Sequence, residues 1–219
     1  MDLSRWLPVA VALALVTVPV VWPFARHAVT LVHELGHAGV AVLTGRTLNG
    51  IRLNADSSGL TVSRGKPRGL GMIATAAAGY LAPSFVGLAL IGAVHAGWSH
   101  EALWALLGVL VVTLVFIRNA FGLLIVVTAL AAVGASLRWA DTLWQTTIVE
   151  TAAWFWLLAA PRTVLELWTN RRRQRSGTTD ADVLARLTHL PAALWNLILL
   201  ALTLAALWPA VTRLPLDVG

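Results

Sequence analysis

His33-Glu34-Leu35-Gly36-His37 is the part of this chain whose residue types and spacing most directly suggest chemistry. On a helix, residues four apart share a face, so the two imidazoles can reach one zinc ion at about 2.0–2.1 Å each. Glu34, one step around the helix, is placed to take a proton from a water beside that ion. Zinc lowers the pKa of a bound water from 15.7 to about 7, which makes peptide hydrolysis feasible at neutral pH. Chance produces this pattern in roughly one chain in a hundred or fewer at such length. The apolar setting strengthens the reading. Ionisable groups inside a membrane span cost at least a few kcal/mol each, so three within five residues call for a compensating cation.

The elements around this motif are those of a membrane protein. Of the 219 residues, 58% are hydrophobic and 12% charged, too apolar for an ordinary soluble domain. A span needs about twenty mostly apolar residues. Seven runs qualify, at Trp6–Trp22, His27–Thr44, Gly69–Gly97, Glu101–Ile117, Phe121–Leu137, Thr146–Leu165 and Pro191–Val211. Pro23 is expected to break the first, and Gly45-Arg46 to end the second. Between the fourth and fifth stands only Arg118-Asn119-Ala120, and a single helix through both would reach about 50 Å, so a turn or break near Gly122 is expected. Residues 47–64 alternate Ile51, Leu53, Leu60 and Val62 with polar residues about Asp56-Ser57-Ser58-Gly59, the pattern of a β-hairpin. The expectation is a single all-α polytopic domain over residues 1–219, with seven transmembrane helices and a small hairpin after the second.

Charge supplies the sidedness. The formal charge is +6, but the basic residues sit between apolar runs and form no continuous stripe, which argues against nucleic acid as a partner. With the amino terminus cytoplasmic, seven spans place Arg46, Arg52, Arg64, Lys66, Arg68, Arg118 and the run Arg171-Arg172-Arg173-Gln174-Arg175 on the cytoplasmic side, and only Arg26, Arg138 and Arg213 outside. Residues 166–190 then form a cytoplasmic loop. Trp6, Trp22, Trp98, Trp139, Trp144, Trp168 and Trp208 lie near span ends and read as an interfacial belt. His95, His100 and His189 read as interfacial polar residues, while Glu150 and Glu166 are too remote or too near the surface to rank as ligands. With no cysteine in the chain, disulfides, thiolate catalysis, iron–sulfur clusters and cysteine-ligated zinc are excluded.

Taken together, Val32-His33-Glu34-Leu35-Gly36-His37-Ala38, the hairpin, Ala76-Ala77-Ala78-Gly79-Tyr80-Leu81-Ala82-Pro83, Arg118-Asn119-Ala120-Phe121-Gly122 and the segment from Thr179-Asp180-Ala181-Asp182 to Thr188 resemble the site-2 protease type of intramembrane zinc metalloprotease, in its compact bacterial M50B-like branch. The resemblance implies a zinc endopeptidase of regulated intramembrane proteolysis in the cell membrane. It would cut within or beside transmembrane segments of membrane proteins, with His33 and His37 as ligands and Glu34 as general base. Such proteases normally take a third ligand from an Asp-Gly motif on a later span, which this chain lacks.

Asp180 is the chosen third ligand, because it stands in the Thr-Asp-Ala segment of the resemblance and because two histidines favour an anionic partner. Asn119 is the alternative ligand, or a substrate-binding residue; Asp182 and Asp56 lie on the same side, whereas Asp141 and Asp217 are expected outside. Thr179 or Asp180 can equally cap a helix leading to Leu184 and Leu187. Gly79 and Pro83 are expected to make room beside the zinc helix. An exposed strand of the hairpin could hold an unwound substrate through main-chain hydrogen bonds, or simply connect two spans. Two other functions compete: a zinc-binding scaffold without turnover, and a cation transporter using the intramembrane His and Glu residues.

Overall fold

The computed structural model describes residues 6–173 and 179–212, without the side chains of 170–173. Arg175, Arg213 and Asp217 lie outside the described residues. The order is α1 (Leu7–Thr17), α2 (Trp22–Leu43), β1 (Thr47–Leu53), β2 (Gly59–Arg64), α3 (Leu70–His95), α4 (Ser99–Phe116), α5 (Ala120–Trp139), α6 (Thr142–Arg173), α7 (Asp180–Thr188), α8 (Ala192–Ala205) and α9 (Trp208–Val211). Among the described residues, α3, α4, α5 and the stretch Ala192–Val211 are each long and apolar enough to cross a membrane; α1 and α2 together make a fifth candidate. The protein is therefore a multi-pass, mostly helical membrane protein with a small antiparallel sheet.

The first two expected spans differ most from expectation. Helix α1 has 11 residues, about 16 Å of rise, half of what a bilayer core requires. The break falls at Val18–Val21 around Pro19, where the axis turns by 100°, and Pro23 sits inside the first turn of α2, where a proline costs no helical hydrogen bond. Helix α2 thus begins at Trp22 rather than His27. Trp22 is not interfacial: it is buried, donates from Nε1 to Glu166 Oε1 at 2.6 Å, and lies under the Arg162 guanidinium at 4.2 Å. Arg26 reaches the same carboxylate at 3.6 Å, although counting two full spans would set Arg26 and the region after Leu165 on opposite faces. Trp98, Trp139, Trp144 and Trp208, by contrast, are exposed near helix ends.

The end of α2 follows its sequence. Gly45 takes a positive φ of 77°, and the Arg46 amide returns to the Ala41 carbonyl at 2.9 Å, closing the helix as glycine after a helix does. Helix α3 then runs back against α2, so close that a Cβ on Gly36 would lie 2.5 Å from Ala82 Cβ and 2.7 Å from the Ala78 carbonyl oxygen. Small residues on both helices permit this approach, as in other membrane helix pairs. Helix α6 closes the bundle: Ala153, Phe155, Leu157 and Ala159 are buried with Leu90, Ile91 and Leu103 of α3 and α4. Its 32 residues include Glu150, Arg162 and Glu166, which lowers its apolarity below that of the crossing helices. Residues 166–190 are not one loop, because α6 continues to Arg173 and α7 forms beyond it.

The hairpin forms where expected, with Gly50↔Val62, Arg52↔Leu60 and Leu53↔Gly59 paired and an irregularity between Leu48 and Gly50. In its turn, Asp56 accepts from the Ser58 amide at 2.9 Å and hydroxyl at 2.6 Å, bonds that hold its carboxyl below the usual range. The break between α4 and α5 packs against β1. Arg118 N donates to the Ile51 carbonyl, and Ile117 forms a parallel bridge with Ile51. Asn119 completes the seam: Leu53 N donates to its Oδ1 at 3.2 Å, and its Nδ2 donates to the Leu53 carbonyl at 2.6 Å. An amide side chain here pairs with main chain as a neighbouring strand would. Asn119→Ala is expected to lower stability by about 1–3 kcal/mol by stripping Leu53 of both partners. The measurement is the thermal unfolding midpoint in detergent; a midpoint equal to wild type would remove Asn119 as the clamp.

Candidate metal centre

His33 and His37 lie on the buried face of α2, and Asp180 reaches them from the first turn of α7. Helix α7 is short and is held by its apolar side, with Leu184 fully buried among Ala76, Val164 and Leu199 of α3, α6 and α8. Its start is fixed by a capping box in which the Asp182 amide donates to Thr179 Oγ1 while the Thr179 amide and hydroxyl donate to Asp182 Oδ2. Thr179 and Asp182 are thereby used as the cap, and Asp180 is left to point at the histidines.

Three donor atoms converge. His33 Nε2 lies 3.1 Å from Asp180 Oδ2, His37 Nε2 lies 3.3 Å from the same oxygen, and the two imidazole nitrogens are 3.0 Å apart. Tetrahedral zinc with bonds of about 2.0–2.1 Å separates neighbouring donors by roughly 3.3 Å, so these three atoms are spaced like one face of such a shell. Among the described residues, His33, His37 and Asp180 are the group of His, Asp and Glu side chains that can hold a metal ion.

The surroundings orient the donors. The Thr75 carbonyl accepts from His37 Nδ1 at 2.7 Å, which leaves Nε2 with its lone pair toward the centre. Tyr80 meets the His33 ring edge-on at 4.6 Å. Gly79 is essential to the fit, since a Cβ there would collide with His37 Nε2 and approach His33 Cε1 to 2.7 Å. Glu34, 4% exposed, faces the hairpin; its Oε2 lies 2.6 Å from the Thr61 hydroxyl. An open cavity of about 460 Å³ joins these residues, lined also by Arg26, Ser57, Thr163 and Glu166.

The structure therefore gathers His33, Glu34, His37 and Asp180 about one cavity. Asn119 does not line it and is engaged with Leu53, and Asp56 is tied into the hairpin turn. Asp141 accepts from the Trp144 amide at the start of α6. Sequence reasoning missed Thr75, Gly59, Thr61, Arg26 and Glu166 as neighbours of the centre. Arg26 and Glu166 carried a usable signal, being charged residues at the margins of apolar runs. Thr75 acts through its main chain, which no side-chain pattern reveals.

The family model for Peptidase M50B-like proteins matches residues 6–210, nearly the whole chain, and the protein belongs to that family. Comparisons with curated proteins and with solved structures gave no match. Gly79→Ala is expected to displace both imidazoles and so to weaken any metal binding by the His33, His37 and Asp180 group about ten- to a hundredfold, as loss of an orienting neighbour does elsewhere. Zinc titration of the metal-free protein checks this, and unchanged affinity would contradict the tight packing of α3 on the histidines.

Proposed function

We propose that this protein is a zinc-dependent intramembrane endopeptidase that hydrolyses peptide bonds within or beside transmembrane segments of membrane proteins. The observation that carries the reading is the convergence of His33 Nε2, His37 Nε2 and Asp180 Oδ2 beside buried Glu34 in a cavity of a membrane peptidase family member. His33, His37 and Asp180 are the proposed ligands. Two neutral imidazoles and one carboxylate are a suitable donor set for a zinc that keeps one position open. When bound, zinc supplies a Lewis acid that polarises a carbonyl and makes hydroxide available near neutral pH.

The chain's own residues supply the rest. Glu34 takes the proton of the attacking water and returns it to the leaving amine, the general acid–base role suited to a carboxylate beside the reacting atoms. Polar lining from Thr30, Ser57, Ser58 and Thr163 suits the cavity to admit the water that hydrolysis needs. β1 already has Ile117–Asn119 along its outer side, so β2 is the strand with an edge to offer. An unwound substrate segment pairing with that edge would lie along the cavity and be held extended.

The basic residues support an orientation. Arg46 and Lys66 gather at the open end of the hairpin, where Arg46 Nη1 donates to the Lys66 carbonyl, and Arg118 packs over Gly50. We place this face on the cytoplasmic side by the excess of basic residues there. If α1 and α2 count as two spans, the amino terminus is cytoplasmic as well; as one broken span, they carry it to the other face.

The test compares zinc content and cleavage of transmembrane peptides for the purified protein and its variants in detergent. Glu34→Gln is expected to keep stoichiometric zinc and lose about a hundredfold or more in kcat. Asp180→Ala is expected to lose zinc, while Asn119→Ala keeps it. Wild type that binds zinc and cuts none of a varied peptide set would favour the inactive scaffold, and wild type without stoichiometric zinc would sink the metal site and reopen the transporter.

A further inference from the structure

The Glu34 carboxylate is held from outside its own helix. Strand β2 alternates its faces: Gly59, Thr61 and Ser63 are half-buried, whereas Leu60, Val62 and Arg64 are exposed. Two of the half-buried residues meet Glu34. The Thr61 hydroxyl lies 2.6 Å from Oε2 and 3.1 Å from the carbonyl oxygen of the same residue, and its single proton serves the nearer carboxylate oxygen. Two positions earlier, Gly59 lies against the carboxylate, where a Cβ would come within 2.6 Å of Cγ and 2.7 Å of Cδ and would overlap Oε1. One oxygen thus has a donor in contact, and the other has the room that only glycine leaves.

We infer that Thr61 is a positioning residue for Glu34: its hydroxyl fixes one carboxylate oxygen while Gly59 backs the other, so the carboxylate is held in one orientation at the cavity where water and the scissile peptide would lie. The inference rests on the reading of Glu34 as general base. A free glutamate carboxylate rotates about three side-chain bonds, and a misplacement of about 1 Å can cost a hundredfold in rate. The strand that fixes the base is also the strand whose outer edge is offered to substrate. A peptide pairing with β2 therefore docks on the element that holds the base in place.

The experiment uses the zinc-loaded protein in detergent and its Thr61→Val, Thr61→Ser, Gly59→Ala and Glu34→Ala variants, with kcat, KM and zinc content measured for each. Thr61→Val keeps the shape but removes the donor, and it should lower kcat about ten- to a hundredfold with KM within about twofold and zinc unchanged. Thr61→Ser, which restores the hydroxyl, should recover kcat to within about threefold of wild type. A second readout needs neither metal nor turnover. In the metal-free protein, Thr61→Val should lower the unfolding midpoint clearly more when Glu34 is present than in the Glu34→Ala background, where the hydroxyl keeps only the main-chain carbonyl.

Equal losses in Thr61→Val and Thr61→Ser, a change confined to KM or to zinc, or additive midpoint shifts would overturn the inference. If Thr61→Val does not fold, Gly59→Ala decides: a fall in kcat with zinc retained supports the wall behind Glu34, and an unchanged kcat overturns it. Full cleavage by Glu34→Ala would instead remove the general-base assignment, and the metal-free cycle would still report whether Thr61 holds Glu34.

Discussion

Three ionisable side chains within five residues of an apolar helix must each find a partner in a bilayer, and the fold around α2 is organised by that requirement. Each is answered from a different element. Asp180 comes from α7 to both histidines, the Thr75 carbonyl comes from α3 to His37, and the Thr61 hydroxyl comes from β2 to Glu34. Apolar packing carries the same elements into place, Leu184 of α7 among Ala76, Val164 and Leu199 and Ile51 and Leu53 of the hairpin beside Leu31 and Ala38 of α2. The small residues of α3 belong to the same arrangement, because Gly79 and Ala82 set how near the carbonyl of Thr75 can come to the imidazole it orients.

Much of this was legible in the sequence wherever one local rule decided the outcome. The spacing of His33 and His37 put them on one face, Gly45 ended α2, the alternation of residues 47–64 made a hairpin, and length called for a break, expected near Gly122, that falls a few residues earlier, before Ala120. The choice of Asp180 over Asn119 as the residue meeting the histidines followed from its charge and its segment. What sequence could not show was three-dimensional. Asn119, at the break between α4 and α5, spends its amide on Leu53, a pairing between residues 66 apart in the chain.

The misreadings share a physical cause. Hydropathy over Trp6–Thr44 counts apolar residues but does not register the 100° turn between α1 and α2, so an 11-residue helix reads as a full-length span. The same blindness set Arg26 and Glu166 on opposite faces. In β2 the alternation was correct, yet Leu60 and Val62 are the exposed face and Gly59, Thr61 and Ser63 the inward one. In water an apolar strand face seeks the core; beside a polar cavity in a membrane protein the small and hydroxylated face is the one that turns inward.

The seam made by Asn119 on Leu53 has a consequence for how molecules of this protein meet one another. A two-stranded sheet has two open sides, and open sides invite sheets from neighbouring copies to join and grow. Here the β1 side is closed by the chain's own Ile117–Asn119 segment, at the cost of two residues' worth of main chain and one amide. The sheet can therefore be extended on its β2 side only, and two copies meeting there edge to edge would close one another off instead of growing into a longer array.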